Sequence, residues 1–319
     1  MKENLLGVDI GGTKCAVIFG VSDGDRLTVV DKERFATTEV NETISHIENA
    51  LDAMMLRHGL TPDNTRAVGI SCGGPLDSRR GVVLSPPNLP GWDNIPIADI
   101  VQRRTGLKAY LQNDANACAM AEWKFGAGRG TRHMVFLTFG TGLGAGIIAD
   151  GKIYTGANDN AGEAGHVRLS AFGPVGYGKA GSFEGFASGG GMAQLAQMRL
   201  KEIYQMGGRV EWCAPDALSS VTARDVTEAA AAGDAVACEI VRTSAHYLGM
   251  GLSIIVDLLN PEAIVIGSIF ARREAMFRPV MEEVLRREAL PGALRVCRVV
   301  PAQLGESIGD MAALSVACS

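Results

Sequence analysis

A chain of 319 residues with 47% hydrophobic and 20% charged side chains has the composition of an ordinary folded protein. It exceeds the roughly 100 to 200 residues of one domain, so two domains with a cleft between them are expected. A formal net charge of -5 and the lack of a long Lys/Arg run exclude nucleic acid or an anionic membrane surface as the main partner.

Forty glycines, against a usual share of about 7%, imply many tight turns. The seven cysteines are widely spaced, odd in number and form no CxxC pair, which fits reduced thiols. Met1-Lys2-Glu3-Asn4 leads within a few residues to Asp9 and leaves no room for a signal peptide. The longest apolar stretch, Tyr247 to Phe270, is broken by Asp257, Asn260, Pro261 and Glu262, short of the roughly 20 apolar residues of a membrane span. A cytoplasmic protein is expected.

In chain order, Leu5 to Ile10 reads as a buried strand, Asp9-Ile-Gly-Gly-Thr-Lys14 as a glycine turn, and Cys15 to Phe19 as a strand returning beside the first. A strand near Leu27 to Phe35 precedes Glu42 to Arg57, whose apolar residues Ile44, Ile47, Leu51, Met54 and Met55 have helical spacing. The strand Ala67 to Cys72 ends in Gly73-Gly74-Pro75, and Ser85 to Trp92 is a turn-rich loop. Ala109 to Gln112 is a strand that delivers Asn113-Asp114 to its end, and Ala115 to Phe125 a helix that stops at Gly126. Strands His133 to Phe139 and Ala145 to Ala149 flank the second glycine turn, Phe139-Gly-Thr-Gly-Leu-Gly-Ala-Gly146. Beyond Ser188 the chain is mainly helical, with strands at Ala263 to Ile266 and Arg295 to Val299 and a closing helix at Ile308 to Ala317. The recurring strand, Gly/Thr turn, strand pattern is that of a duplicated α/β domain, with the two turns facing each other across a cleft.

Successive backbone N–H groups in a glycine-rich turn form an anion site, and small residues let phosphate oxygens come close. Gly11, Gly12 and Thr13, and again Gly140, Thr141, Gly142 and Gly144, meet that need. Neither turn has the GxxxxGK[ST] spacing, and the second lacks the spacing and following helix of a dinucleotide fingerprint. Two such loops with a carboxylate between them suit phosphoryl transfer, which is mostly positioning and charge neutralisation. Asp9 suits either a ligand of the Mg²⁺ that accompanies ATP or a turn aspartate. Asp114 suits a general base for a hydroxyl nucleophile, an N-cap, or both, with Asn113 beside it to bond a substrate hydroxyl. Glu163 and His166, in a glycine-punctuated loop, offer acceptors and a donor to adjacent hydroxyls, as does Glu184; a solvated loop is the other reading.

These pieces, with Gly73-Gly-Pro75, Pro87-Asn-Leu-Pro-Gly-Trp92, Asn113-Asp-Ala-Asn116, Gly162-Glu-Ala-Gly-His166 and Ile264-Val-Ile-Gly267, resemble in their order the ROK family of sugar kinases and sugar-responsive repressors, within the actin-like ATPase and hexokinase superfamily. The resemblance covers nearly the whole chain. It implies an α/β fold of two ribonuclease-H-like domains around an interdomain cleft: residues 1–115 joined by the closing helix of about 303–319, and residues 116–302. It implies an ATP-dependent hexose kinase with Asp114 as the base that activates a sugar hydroxyl, O6 of glucose first. Gly74, Asn88, Asn113, Asp114, Glu163, His166 and Glu184 would bind the sugar. Asp9, Gly11, Gly12, Thr13, Lys14, Gly140, Thr141, Gly142, Gly144 and Gly267 would hold ATP with its Mg²⁺. The family commonly forms homodimers.

Other acceptors that fit the same motifs are N-acetylhexosamines, allose, fructose or a glucoside, and a sugar sensor without catalysis is the non-enzyme alternative. Repressors of the family carry a helix-turn-helix before the first loop, for which Asp9 leaves no space. Kinases of the family usually bind zinc through the histidine of Glu-x-Gly-His and three cysteines of a CxCGxxGC segment. The matching run here is Val175-Gly-Tyr-Gly-Lys-Ala-Gly-Ser182. Structural zinc takes four ligands, which His166 alone does not supply, so no zinc is expected.

Overall fold

The computed structural model describes residues 2–318. The chain opens with strands β1 (Glu3–Ile10), β2 (Lys14–Ser22) and β3 (Leu27–Ala36), helix α1 (Val40–His58) and strand β4 (Thr65–Cys72). A small hairpin, β5 (Leu76–Asp77) and β6 (Val82–Val83), leads to α2 (Ile97–Thr105), β7 (Ala109–Asn113) and α3 (Asp114–Phe125). Next come β8 (Met134–Leu137), β9 (Ala145–Ala149), β10 (Lys152–Tyr154) and a second small hairpin, β11 (Val175–Gly176) and β12 (Lys179–Ala180). The helical part comprises α4 (Phe183–Phe186), α5 (Gly189–Gln205), α6 (Ala223–Ala231) and α7 (Ala235–Leu259). After β13 (Ala263–Ile266) follow α8 (Ser268–Glu288), α9 (Pro291–Leu294), β14 (Arg298–Pro301) and α10 (Ile308–Ala317).

Two compact units result. The first takes in the chain up to Arg132, Gly146–Gly162 and the segment from Gln303 onward; the second is His133–Ala145 with Glu163–Ala302.

The first unit is built on a sheet of order β3-β2-β1-β4-β7. β1 pairs antiparallel with β2 and parallel with β4, so the first glycine turn is a hairpin turn. Alternation along β1 decides what each face meets. Leu6, Val8 and Ile10 join a core with Ile47, Leu51 and Met54 of α1 and Val101 of α2. On the other face Leu5 packs with Met311, Ala313 and Leu314 of α10, and a β-carbon on Gly7 would lie 3.1 Å from that of Ala313. Asp9 follows on this second face, which carries it to the first turn of α10: a β-carbon on Gly309 would lie 3.4 Å from Asp9 Oδ2.

Glu122 of α3 is fully buried, and its two oxygens accept from Ala127 N and Leu304 N, both at 2.8 Å. It thereby holds the turn that ends α3 and the segment that leads into α10. Glu122→Ala is expected to lower stability by about 2 to 4 kcal/mol, because two N–H groups lose their acceptors in the interior. Glu122→Gln, which keeps a carbonyl acceptor, is expected to lose less; equal denaturation midpoints for the alanine variant and the parent would contradict this.

In the second unit β13 lies between β8 and β14, parallel to both. Phe139, Phe270 and Phe277 fill its interior, with Phe139 and Phe277 edge to face at 5.3 Å. The apolar stretch from Tyr247 to Phe270 resolves into the end of α7, a left-handed cap at Asn260, β13 and the start of α8. Among the described residues, no helix is long and apolar enough to cross a membrane. The strand expected at Arg295 to Val299 is instead Arg298–Pro301, preceded by the helical turn Pro291–Leu294. Proline at the first position of that turn has its φ preset for helix.

Candidate active site

The residues singled out by sequence divide between the two units. In the first, Gly11 N donates to Lys14 O at 3.0 Å and closes the glycine turn, while Thr37, just beyond β3, holds it from the side. Thr37 Oγ1 donates to Gly11 O at 2.6 Å and Thr37 N to Thr13 O at 3.1 Å. A β-carbon on Gly12 would lie 2.6 Å from the Asn88 carbonyl oxygen, so only glycine lets the Pro87–Trp92 loop approach this closely. The same criterion puts Gly74 3.1 Å from Asn113 Nδ2 and Gly73 3.5 Å from Asn88 Oδ1. Gly12, Gly74, Asn88 and Asn113 are thus drawn together, and Thr13 and Lys14 stay exposed at the tip of the turn.

The Asn113-Asp114 pair separates into two roles. Asn113 is the N-cap of α3: its side-chain oxygen accepts from Ala115 N at 3.0 Å. Asp114 is the first helical residue, its Oδ1 2.8 Å from the same N–H. Burial raises the Asp114 carboxyl above the ordinary carboxylate range, against the backbone N–H groups of Ala115 and of Asp114 itself, which pull it down.

Asp9 is pushed up to about 6, first by burial and then by Asp310, with Lys32 opposing, Asp114 adding to the rise and Arg34 opposing. Lys32 is itself paired with Asp310. Among the described residues none donates a hydrogen bond to the Asp9 carboxylate. A crowded, hydrogen-bond-poor carboxylate fits a hard cation that takes oxygen ligands and completes its shell with water and phosphate, as Mg²⁺ does. No group of three His, Cys, Asp or Glu side chains suited to a metal exists among the described residues.

In the second unit the second turn is laced from within and from α5. Thr138 N donates to Gly144 O at 2.9 Å, and Gly144 N to Thr138 Oγ1 at 2.8 Å. Gly189 N donates to Gly140 O at 2.7 Å, and Gly190 N to Thr141 O at 3.0 Å. Gly267 N donates to Leu137 O at 2.9 Å, which sets Gly267 at the end of β8, just before the turn begins. Sequence reasoning missed Gly189 and Gly190 as supports; the run Ser188-Gly-Gly-Gly191 was the available signal.

Glu184 of α4 accepts from Leu143 N at 2.9 Å through Oε2, so one of its oxygens is committed to the turn. Glu163 and His166 flank a short 3₁₀ turn, Ala164–His166, whose Gly165 packs so closely that a β-carbon would lie 2.2 Å from Leu143 O. Glu163, His166, Glu184 and the Gly142–Gly144 segment therefore form one cluster, with Glu163 and His166 exposed.

Zinc does not fit the segment that follows. Val175 offers no donor atom, and Tyr177 and Ser182 offer neutral hydroxyls in place of thiolates. The buried Ser182 hydroxyl is already used, donating to Gly176 O at 3.4 Å and accepting from Gly185 N at 3.1 Å.

A profile of the ROK family matches residues 5–318. The glucokinase of Thermotoga maritima is 31% identical over 322 residues, 99% of this chain and 97% of its own. A ROK family glucokinase from Streptomyces griseus, solved in complex with glucose and AMPPNP, is 32% identical with a TM-score of 0.73 and 98% coverage of each chain. The DNA-binding transcriptional repressor Mlc of Escherichia coli K12 is 28% identical over 83% of this chain and 64% of its own. The α/β fold is that of the ROK sugar kinases, which have two actin-like ATPase domains. With a family profile that spans almost its whole length and a glucokinase alike from end to end, the chain belongs to the ROK family.

Proposed function

We propose that this protein is an ATP-dependent hexose kinase that transfers the γ-phosphoryl group to a sugar hydroxyl, O6 of glucose, with Asp114 as general base. The observation that carries this reading is the division of labour at the head of α3. Asn113 caps the helix and Asp114 Oδ1 shares the same Ala115 N–H, so the other oxygen of the Asp114 carboxylate is left to accept a proton. In the reaction the Asp114 carboxylate takes the hydroxyl proton as the sugar oxygen bonds to the γ-phosphorus and the bond to the departing ADP oxygen breaks. Gly11, Gly12, Thr13 and Lys14, and Gly140, Thr141, Gly142 and Gly144, hold the ATP phosphates, with Gly267 also on the nucleotide side. Asp9 would hold Mg²⁺, directly or through water, and the ion when bound would offset phosphate charge. Gly74, Asn88, Asn113, Glu163, His166 and Glu184 bind the sugar, Glu184 through the oxygen not given to Leu143. The enzyme acts in the cytoplasm as a homodimer.

The likeness to Mlc supports a second reading, a sugar sensor without catalysis. Release of ADP from Mg-ATP, followed across glucose, mannose, N-acetylglucosamine, N-acetylmannosamine, allose, fructose and a β-glucoside, decides between them. Sugar-dependent ADP release, highest with glucose, is the expected result. Sugar binding without ADP release from any of them would leave the sensor reading in place of the kinase.

A further inference from the structure

The turn that bears Glu163 and His166 is short and glycine-flanked, and the hairpin after it has only two residues per strand, joined through Tyr177 and Gly178 at φ of 43° and 75°. A two-stranded hairpin is marginal alone in water, so it needs anchors. The structure supplies them without a metal. Gln194 of α5 accepts from Val175 N through Oε1 at 2.8 Å and donates to Val175 O through Nε2 at 2.8 Å, so one carboxamide satisfies both backbone groups of a single strand residue. From the hairpin, Lys179 Nζ donates to His166 O at 2.7 Å and reaches the recognition turn itself. Arg168 donates to Ala180 O at 2.6 Å and Phe183 N to Val167 O at 2.8 Å, closing the two segments on each other.

We propose that Gln194 is the positioning residue that holds the Glu163–His166 turn in place without metal, through its two-point bond to Val175 and the Lys179 bond to His166. Gln194 touches no sugar atom in this scheme; it acts on the turn through the hairpin. The effect on sugar affinity rests on the proposed sugar-binding role of Glu163 and His166, whereas the effect on the hairpin does not.

The test compares the parent protein with Gln194→Leu, which removes both bonds at similar volume, and Gln194→Glu, which keeps the acceptor and loses the donor. Amide hydrogen exchange over residues 166–182 is expected to quicken about tenfold in Gln194→Leu and less in Gln194→Glu, the scale of one or two hydrogen bonds. The sugar KM is expected to rise about tenfold while the nucleotide KM moves less than about twofold. A zinc chelator is expected to leave parental exchange and KM as they were. Unaltered exchange in Gln194→Leu, a sugar KM that does not follow the exchange, or a parental hairpin loosened by chelation would each overturn the proposal. Lys179→Met, which frees His166 O alone, gives a second reading of the same link should Gln194→Leu fail to fold. If no sugar is turned over, the kinase reading fails and exchange still reports on the Gln194 clamp.

Discussion

Asp114→Asn is expected to lower kcat by about 10²- to 10⁴-fold while the protein stays folded and keeps its affinity for sugar. The substitution spares the helix because Asn113, not Asp114, is the cap, and an asparagine oxygen can still accept from Ala115 N. The pH profile adds a second signature. Burial raises the Asp114 carboxyl in the folded enzyme, so a base that must be ionised gives a kcat/KM that rises with pH through a value above the ordinary 3.8. Stability runs the other way. A carboxyl raised on folding binds more protons folded than unfolded, so the native state loses stability as pH climbs from the unfolded value through the folded one. The asparagine variant escapes that loss, and its melting temperature at neutral pH should exceed the parent's. A variant that turns over as fast as the parent would remove Asp114 from the chemistry.

Gly69→Val should cost about 3 kcal/mol or more, at the upper end of what overpacking does. Gly69 lies in β4 under α10, and a β-carbon there would stand 2.1 Å from Ala313 O and 2.5 Å from Ala317 N. These are backbone atoms of a helix, so no rotamer change relieves the clash and α10 must lift. Gly20 makes a similar approach, at 2.5 Å from a methyl of Leu314, but a side chain can turn aside and substitution there should cost less. Urea denaturation of both variants checks the order; a Gly69 variant that unfolds at the parental midpoint would show that α10 does not pack this tightly.

What the sequence revealed and what it concealed have a common physical basis. Strands flanking Gly11-Gly12 were legible because two apolar runs on either side of a glycine turn leave few alternatives to a hairpin, and α10 was legible from end to end. The helix Ile97–Thr105 was not foreseen: nine residues after a proline, with Asp99, Arg103 and Arg104 among them, give a weak periodic signal. The hairpin of Val175–Ala180 is too short for any period. Glu122 reads locally as an ordinary helix glutamate, and one of the two N–H groups it accepts from belongs to Leu304, 182 positions away. At the site, the residue types and their order were visible, whereas Gly12 against Asn88, Gly190 against Thr141 and Gln194 against Val175 are contacts between segments that carry no mark of each other.

The first unit draws its sheet from the start of the chain and the cover of one sheet face, α10, from the segment after Gln303. On a ribosome adding roughly 5 to 20 residues per second, the whole second unit is made between the two. The glycine-lined face of β1 and β4 therefore waits roughly twelve to fifty seconds for its helix. Asp9 lies on that face and meets α10 at Gly309, so the environment that raises its carboxyl is completed by an element synthesised after the whole second unit. A nascent chain has its first glycine turn long before it has the electrostatics that surround the finished one.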